Sequence, residues 1–313
     1  MHADIDTMHA ELTESFRCKA LVSYKKRVAV LKSLRAAIIA NMDAGVAALA
    51  KDLHRDEATA KGEIYTCVTE IDFQLGNLAK WMKPEPRATH MLMTPGHTEV
   101  RREPYGVVLV IGPFNYPINL SLVPAIGALA AGNCIVVKPS EQTIATQDWL
   151  MECVAPMVDR SVCRMVAADI PRTTKLLYVL NIAELPCGNI FLANDYLWFA
   201  SQWRTAYRSL KWDFIFFTGS PGVGRIVSKA AAEHLTPTVM ELGGKAPVIL
   251  DQSVVHVGEA ARRVAWGKWI NSGQTCIAPD YVLCHVSRQF NSMHWRERES
   301  VCVCVCTTLT PAS

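Results

Sequence analysis

Two stretches near the start of the chain, residues 19–53 and residues 63–81, carry apolar residues at helical spacing. This spacing predicts amphipathic helices packed against a core, and Pro84 and Pro86 end the second helix. The positions that carry the pattern are Leu31, Leu34, Ile38, Val46, Leu49 and Leu53, then Ile64, Val68, Ile71, Leu75 and Leu78. Residues 98–103 alternate charge with polarity and form either an exposed strand or a connection.

From Val107 the pattern changes to short continuous apolar runs, which are typical of parallel strands buried on both faces. The run VVLVIG precedes a predicted helix over residues 118–131, and the run CIVVKPSE precedes one over residues 143–157. A third run, at residues 214–217, leads into a helix that extends to Ala232. This alternation predicts an α/β fold with a doubly wound parallel sheet, whose ligands bind at the carboxyl ends of the strands.

The turn after the third run has the sequence FTGSPGVG, and the strand pair predicted from TVMELGGKAPVIL follows it, with Glu241 at the tip of the first strand. Glycines at a strand-to-helix turn let backbone N–H groups approach a phosphate at the helix N-terminus. The spacing is not the commoner G-x-G-x-x-G, and a plain tight turn explains it equally well. The residues of this loop are Gly219, Ser220, Pro221, Gly222, Val223 and Gly224.

Cys276 has the sequence setting of a nucleophile. A predicted helix over residues 255–270 leads into the polar, flexible sequence NSGQT, and Pro279 and Asp280 are expected to break the chain before a strand near Tyr281. A thiolate on such a loop could attack a carbon electrophile, and the backbone N–H of Cys276 could stabilise the oxyanion that forms. The alternative is a small buried hydrophobic residue, which is what most free cysteines are.

Composition narrows the possible functions. The 313 residues are 50% hydrophobic and 19% charged, with a net charge of +3 and no basic cluster, so nothing indicates nucleic-acid binding. The first residues carry acids and no apolar run, so no secretory signal is predicted, and no apolar stretch is long enough for a membrane segment. The 11 cysteines and 9 histidines are scattered, without the spacing of a disulfide framework or a metal site. We expect a cytoplasmic protein with no bound metal.

Three polar residues, Asn115, Lys138 and Glu241, stand at the predicted carboxyl ends of strands. Taken singly, each has an alternative: a capping amide, a solvated lysine and a solvated acid. With Cys276 they make a chemically complete set for aldehyde oxidation. The thiol adds to an aldehyde carbon, Asn115 and the Cys276 N–H hold the oxyanion, hydride passes to a nicotinamide, and Glu241 activates water to hydrolyse the thioester.

The chain resembles the aldehyde dehydrogenase superfamily, and most closely its class 3 branch, which acts on fatty and aromatic aldehydes. The motifs that carry the resemblance are EPYGVVLVIGPFNYP, AAGNCIVVKPSE, FTGSPGVG, HLTPTVMELGGKAPVILD and AWGKWINSGQTCIAPDY. The resemblance covers about residues 15–285. It implies a Rossmann-like NAD-binding domain, NAD or NADP as cofactor, a small-molecule aldehyde as substrate and a homodimer.

The resemblance also assigns roles to individual residues. It makes Cys276 the nucleophile, Glu241 the general base and Asn115 the oxyanion donor. Lys138 and Glu141 are expected to hold the adenosine ribose, and the loop from Gly219 to Gly224 to lie under the pyrophosphate.

Two segments depart from the family pattern. About thirty extra residues lie within 178–210, as a small helical excursion, translated intron or a gene-model error. After DYVLCH the chain ends in a low-complexity tail. The family's EIFGP motif is absent. The expected domains are an NAD(P)-binding domain at 1–240, the start of a truncated α/β catalytic domain at 241–285, and a non-family tail at 286–313.

The function expected from this sequence is NAD(P)-dependent oxidation of an aldehyde to a carboxylic acid through a cysteine thioester. One alternative is an inactive remnant that binds a nucleotide or a partner subunit. Another is a cofactor-independent cysteine esterase, because Cys276, Asn115 and Glu241 suffice for acyl transfer.

Overall fold

Four helices precede the first strand in the computed structural model of the chain, which describes residues 5–168, 173, 176–180 and 207–285. The first helix was not predicted; it buries Ile5, Met8 and Leu12 at helical spacing. The predicted helical stretch 19–53 is two helices, which meet at Asn41 with a bend of 66°. The four are α1 (Ile5–Arg17), α2 (Tyr24–Ala40), α3 (Met42–Leu53) and α4 (Glu57–Trp81).

Side-chain caps fix where two of these helices begin. The Ser23 hydroxyl accepts a hydrogen bond from the Lys26 N–H at the start of α2, and Asp56 accepts one from the Thr59 N–H at the start of α4. His54 adopts a left-handed conformation (φ 53°) and ends α3, so that Arg55 lies in the short connection between α3 and α4.

A five-stranded sheet lies at the centre of the first part of the chain. Two short exposed strands, β1 (Glu85–Arg87) and β2 (Thr98–Val100), pair with each other before it. The first three strands of the five-stranded sheet and the helices that connect them are β3 (Val107–Ile111), α5 (Asn119–Ala131), β4 (Cys134–Lys138), α6 (Ile144–Trp149) and β5 (Cys163–Met165). A π-helical turn (Leu150–Val154) and a 3-10 turn (Ala155–Met157) continue α6.

Two strands, β6 (Tyr178–Leu180) and β7 (Tyr207–Ser209), form an antiparallel pair between β5 and the next sheet strand. They lie near the two ends of the predicted insertion, whose central residues 181–206 are outside the described residues. The backbone N–H of Leu210 donates to the carbonyl of Leu177 at 3.3 Å. The chain therefore leaves and re-enters the fold at one place.

The sheet is completed by β8 (Phe214–Gly219) and β9 (Thr238–Leu242), with helix α7 (Pro221–Ala232) between them. The strand order is β5-β4-β3-β8-β9, and β3 pairs in parallel with both β4 and β8. Every residue of β3 and β4 is buried, as the continuous apolar runs predicted. The predicted α/β fold with a parallel, Rossmann-like sheet is confirmed.

The chain divides into two compact units, Met1–Glu241 and Leu242–Ser313. In the second unit, strands β10 (Ala246–Leu250) and β11 (Pro279–Cys284) pair in parallel, and helix α8 (Val257–Trp269) connects them. The predicted chain break at Pro279 and Asp280 was wrong, because these residues begin β11. The first residue of a strand tolerates proline, since its missing N–H is not needed by the ladder. The predicted tail, 286–313, lies outside the described residues.

No single helix among those described is long and apolar enough to cross a membrane. Only the bent pair α2 and α3, taken together, reaches the necessary length and composition.

Candidate active site

The loop that carries Asn115 connects β3 to α5 and is held by a buried ion pair. Arg55 donates from Nη2 to the backbone carbonyl of Asn115 at 2.6 Å and pairs through Nη1 with Glu63. The Glu63 carboxylate accepts hydrogen bonds from the backbone N–H groups of Ile118 (2.8 Å) and Asn119 (2.9 Å) at the start of α5. One ion pair therefore holds the loop on both sides of its tyrosine-proline step.

This ion pair is almost fully removed from water. The side chains of Arg55 and Glu63 are only 3% and 1% exposed, and the guanidinium carbon lies 4.7 Å from the centre of the Tyr116 ring. Burial raises the pKa of the Glu63 carboxyl, and the Arg55 charge and the two backbone N–H groups oppose that rise. A carboxylate at a helix N-terminus is also favoured by the helix dipole.

Sequence reasoning did not find this pair, although the pattern contained a signal for it. Glu63 precedes Cys67 and Ile71 by four and eight residues, so a charged residue stands in the apolar stripe of α4. A buried charge of this kind needs a partner or a capping role.

Gly112 lets the start of the same loop pass close to α5. A Cβ at this position would lie 2.0 Å from the Ser121 hydroxyl oxygen, so a larger residue would collide with the first turn of the helix. The Gly112 N–H donates to the carbonyl of Lys138 at 2.9 Å. The Asn115 loop and Lys138 therefore begin at neighbouring strand ends, as the parallel sheet predicted.

Lys138 is the last residue of β4, and its ammonium group forms an ion pair with Glu141, three residues later. Its side chain is 5% exposed, so the alternative of a solvated lysine was wrong. Burial and pairing give this lysine a fixed position at the carboxyl edge of the sheet. The structure thus brings together the two residues that were predicted to hold a ribose.

The glycine-containing loop lies between β8 and α7. The Ser220 hydroxyl caps α7 by accepting from the Val223 N–H at 3.4 Å, and Pro221 is the first residue of the helix. The residues from Ser220 to Val223 are exposed, whereas Gly224 is buried. Beside the loop, the buried hydroxyl of Thr218 has no hydrogen-bond partner within the described part of the chain. An exposed helix N-terminus beside an unsatisfied hydroxyl fits a phosphate-containing ligand.

Glu241 lies in β9, one residue before the strand ends, and its side chain is exposed. It belongs to the same unit as Asn115, Lys138, Glu141 and the Ser220 loop. Cys276 belongs to the second unit.

An unusual backbone leads from α8 to Cys276. Asn271, Ser272 and Gly273 all have positive φ angles of 55°, 55° and 78°. Asn271 and Gln274 stabilise this bend, because each side-chain amide donates to the other residue's backbone carbonyl at 3.3 Å. Left-handed conformations are costly for residues other than glycine, so these contacts hold a conformation that serine would otherwise avoid.

The ELGGK turn passes close to the Cys276 backbone within the second unit. A Cβ at Gly244 would lie 3.2 Å from the carbonyl oxygen of Cys276, so a larger residue would fit only if the backbone at Cys276 shifted by a few tenths of an ångström. Lys245 and Lys268 lie 3.2 and 3.8 Å from the Asp280 carboxylate, four residues after Cys276.

Cys276 is one of two exposed cysteines among those described, and Cys18 is the other. The alternative of a buried residue was therefore wrong for Cys276. Burial raises the pKa of the Cys134 and Cys163 thiols to about 12 and raises that of Cys67 further. The hydrogen bond and charge of Glu14 raise the pKa of the exposed Cys18 thiol. Among the described residues, no three His, Cys, Asp or Glu side chains are grouped as a metal site.

Comparison with known proteins decides the family. The profile described as "Aldehyde dehydrogenase family" matches residues 1–179 and 204–293. The chain belongs to the aldehyde dehydrogenase family. The match extends beyond the predicted range 15–285 at both ends, and residues 180–203, which it leaves out, fall within the predicted insertion.

Named relatives are members of aldehyde dehydrogenase family 3, so the predicted likeness to the class 3 branch is confirmed. Mouse aldehyde dehydrogenase family 3 member B2 is 39% identical over 284 residues, covering 90% of this chain and 52% of the relative. The mouse "Aldehyde dehydrogenase, dimeric NADP-preferring" is 38% identical over 264 residues, covering 84% of this chain and 51% of the relative. The chain thus spans about half the length of these relatives.

A solved aldehyde dehydrogenase has the same fold. The structure described as the substrate-bound state of Staphylococcus aureus AldH superposes with a TM-score of 0.79 and 31% sequence identity. The superposition covers 95% of this chain and 59% of that chain.

Proposed function

We propose that this chain oxidises an aldehyde to a carboxylic acid, with NAD or NADP as the oxidant and Cys276 as the nucleophile. The observation that carries the proposal is the position of Cys276 in an aldehyde dehydrogenase chain. Its thiol is exposed on a loop that consecutive left-handed residues shape, against the glycine turn of ELGGK. Thiolates that attack carbon electrophiles need such an accessible position.

The residues of the first unit support a role in holding the cofactor. The buried Lys138 with Glu141 offers hydrogen-bond donors and acceptors suited to ribose hydroxyls, and the exposed N-terminus of α7 offers backbone N–H groups to a pyrophosphate. When bound, NAD or NADP supplies the hydride acceptor. The name of one relative contains the words dimeric and NADP-preferring, which favours testing both cofactors and measuring the oligomeric state.

The proposed reaction begins with covalent addition at Cys276. Its sulfur adds to the aldehyde carbon, and the Asn115 amide and the Cys276 N–H stabilise the oxyanion that forms. Bound NAD or NADP would accept the hydride that this carbon loses, and Cys276 would then hold the acyl group as a thioester. Glu241 then takes a proton from water, and the resulting hydroxide attacks the thioester carbon. The carbon–sulfur bond breaks, which releases the carboxylic acid and regenerates the thiolate.

The proposal is tested by the rate of NADH or NADPH formation with a medium-chain or aromatic aldehyde. Cys276→Ala is expected to reduce the rate to that of a blank without enzyme. The matched control is Cys18→Ala, which removes the other exposed described thiol and should leave the rate within about twofold, as surface substitutions usually do. Undiminished turnover by Cys276→Ala would refute the assignment.

The same variants distinguish the alternative functions. Ester hydrolysis that needs Cys276 but no cofactor would indicate a cysteine esterase. Cofactor binding by folded protein without turnover would indicate a binding module.

A further inference from the structure

The backbone of Asn115 is held by groups that take no part in the proposed chemistry. Arg55 contacts the carbonyl of Asn115, so this contact fixes the main chain without using the side-chain amide. Glu63, paired with Arg55, fixes the amides of Ile118 and Asn119 a few residues further on. The segment that carries Asn115 is therefore held at both ends by one buried ion pair.

The ion pair is itself fixed by the start of α4. Arg55 directly precedes Asp56, the capping residue of α4, and Glu63 is the seventh residue of that helix. Both charges come from one short stretch, residues 55–63, which is separate in sequence from the loop that they hold.

Capping alone does not explain this arrangement. The Glu63 carboxylate would satisfy the N-terminus of α5 without an arginine on Asn115. Buried ion pairs are weak contributors to stability compared with apolar replacements of the same volume, but they can specify one conformation. An oxyanion donor needs to be held in one conformation, because a displacement of about 1 Å can lower the reaction rate about 10²-fold.

We propose that Arg55 and Glu63 are positioning residues that hold Asn115 where its side-chain amide meets the developing oxyanion. This inference rests on the proposed function, in which Asn115 is the oxyanion donor. Neither Arg55 nor Glu63 contacts substrate in this scheme, and both act through Asn115.

The test is a double-mutant cycle on kcat. Asn115→Ala is expected to lower kcat by roughly 10²–10³-fold, as removal of an oxyanion donor does, and the nearly isosteric Glu63→Gln by about 10²-fold. If Glu63 acts through Asn115, the double variant is no slower than Asn115→Ala alone.

The dissociation constant for the cofactor and the KM for aldehyde should stay within about twofold, because these substitutions change no residue proposed to bind the cofactor. Glu57→Gln, which removes an exposed ion pair with Lys61 on the same helix, is the matched control.

Independent, multiplying losses from Glu63→Gln and Asn115→Ala would refute the positioning role, and so would full kcat in Glu63→Gln. Arg55→Lys provides a second cycle if Glu63→Gln does not fold, since it keeps the charge and loses the fork geometry of the guanidinium.

Amide hydrogen exchange separates failure of this inference from failure of the proposed function. No turnover in the parent, or no effect of Asn115→Ala, would reject the proposed function alone. Exchange over residues 112–119 should still be faster in Glu63→Gln and Arg55→Lys than in the parent and in Glu57→Gln. Faster exchange would support the anchoring of Asn115, whereas unchanged exchange in both variants would overturn it.

Discussion

Cys276 differs from the other described cysteines in the combination of an exposed thiol and a loop built from left-handed residues. Burial keeps Cys67, Cys134 and Cys163 protonated, because their thiol pKa values lie far above neutral pH. Thiolate is the reactive form of cysteine, so these residues should be inert in the folded protein.

Alkylation with iodoacetamide at pH 7 tests this difference. Among the described cysteines, we expect Cys276 to be modified first and Cys18 more slowly, because Glu14 raises the pKa of the Cys18 thiol. Cys67, Cys134 and Cys163 should react only after unfolding, and peptide mass spectrometry resolves each site. Modification of these three before Cys276 would contradict the structure of the loop.

Individual residues show what the sequence could not specify. The position of Lys138 at a strand end followed from the run CIVVKPSE, but its burial depends on neighbouring strands from elsewhere in the chain. The Arg55–Glu63 pair was missed because its partners, the amides of α5, lie more than fifty residues away in sequence. Local patterns predict which residues reach a sheet edge, and long-range contacts decide what fixes them there.

At the scale of elements, continuous apolar runs predicted the sheet strands well because parallel strands buried on both faces have a distinctive composition. The helix boundaries were less predictable. Helix α1 was not predicted, although Ile5, Met8 and Leu12 have the helical spacing that indicates an amphipathic helix. The break at Asn41 has no proline or glycine beside it to signal it.

Helix α7 provides a test of the cofactor site. Gly222→Asp places a negative charge in the exposed first turn of α7, which should leave the free energy of unfolding unchanged or raise it by about 0.3–1 kcal/mol. The same charge should repel a pyrophosphate and raise the dissociation constant for NADH at least about tenfold, by the Coulomb interaction of like charges at close range.

Fluorescence titration with NADH and chemical denaturation measure the two quantities, and Gly222→Asn is the neutral control of similar size. Unchanged NADH affinity in Gly222→Asp would show that the phosphates bind elsewhere.

At the scale of the whole molecule, family membership covers most of the chain, while the chain spans about half the length of its relatives. The two ends of the predicted insertion meet where the Leu210 N–H donates to the Leu177 carbonyl. Because the ends are adjacent, residues can be inserted between them without displacing the strands of the sheet. A cytoplasmic location and a homodimer stay predictions. The proposed function depends on covalent catalysis by Cys276 and on hydrolysis assisted by Glu241.

The most direct measurement of that claim is the intact and peptide mass of Glu241→Gln after incubation with an aldehyde and NAD or NADP. The variant lacks the base that activates water, so an acyl group should accumulate on Cys276, with one equivalent of reduced cofactor formed per chain. The control variant Glu233→Gln changes an acid outside the proposed site and should release the acid product without accumulating the adduct. An acyl group on another residue, or undiminished turnover by Glu241→Gln, would contradict the account.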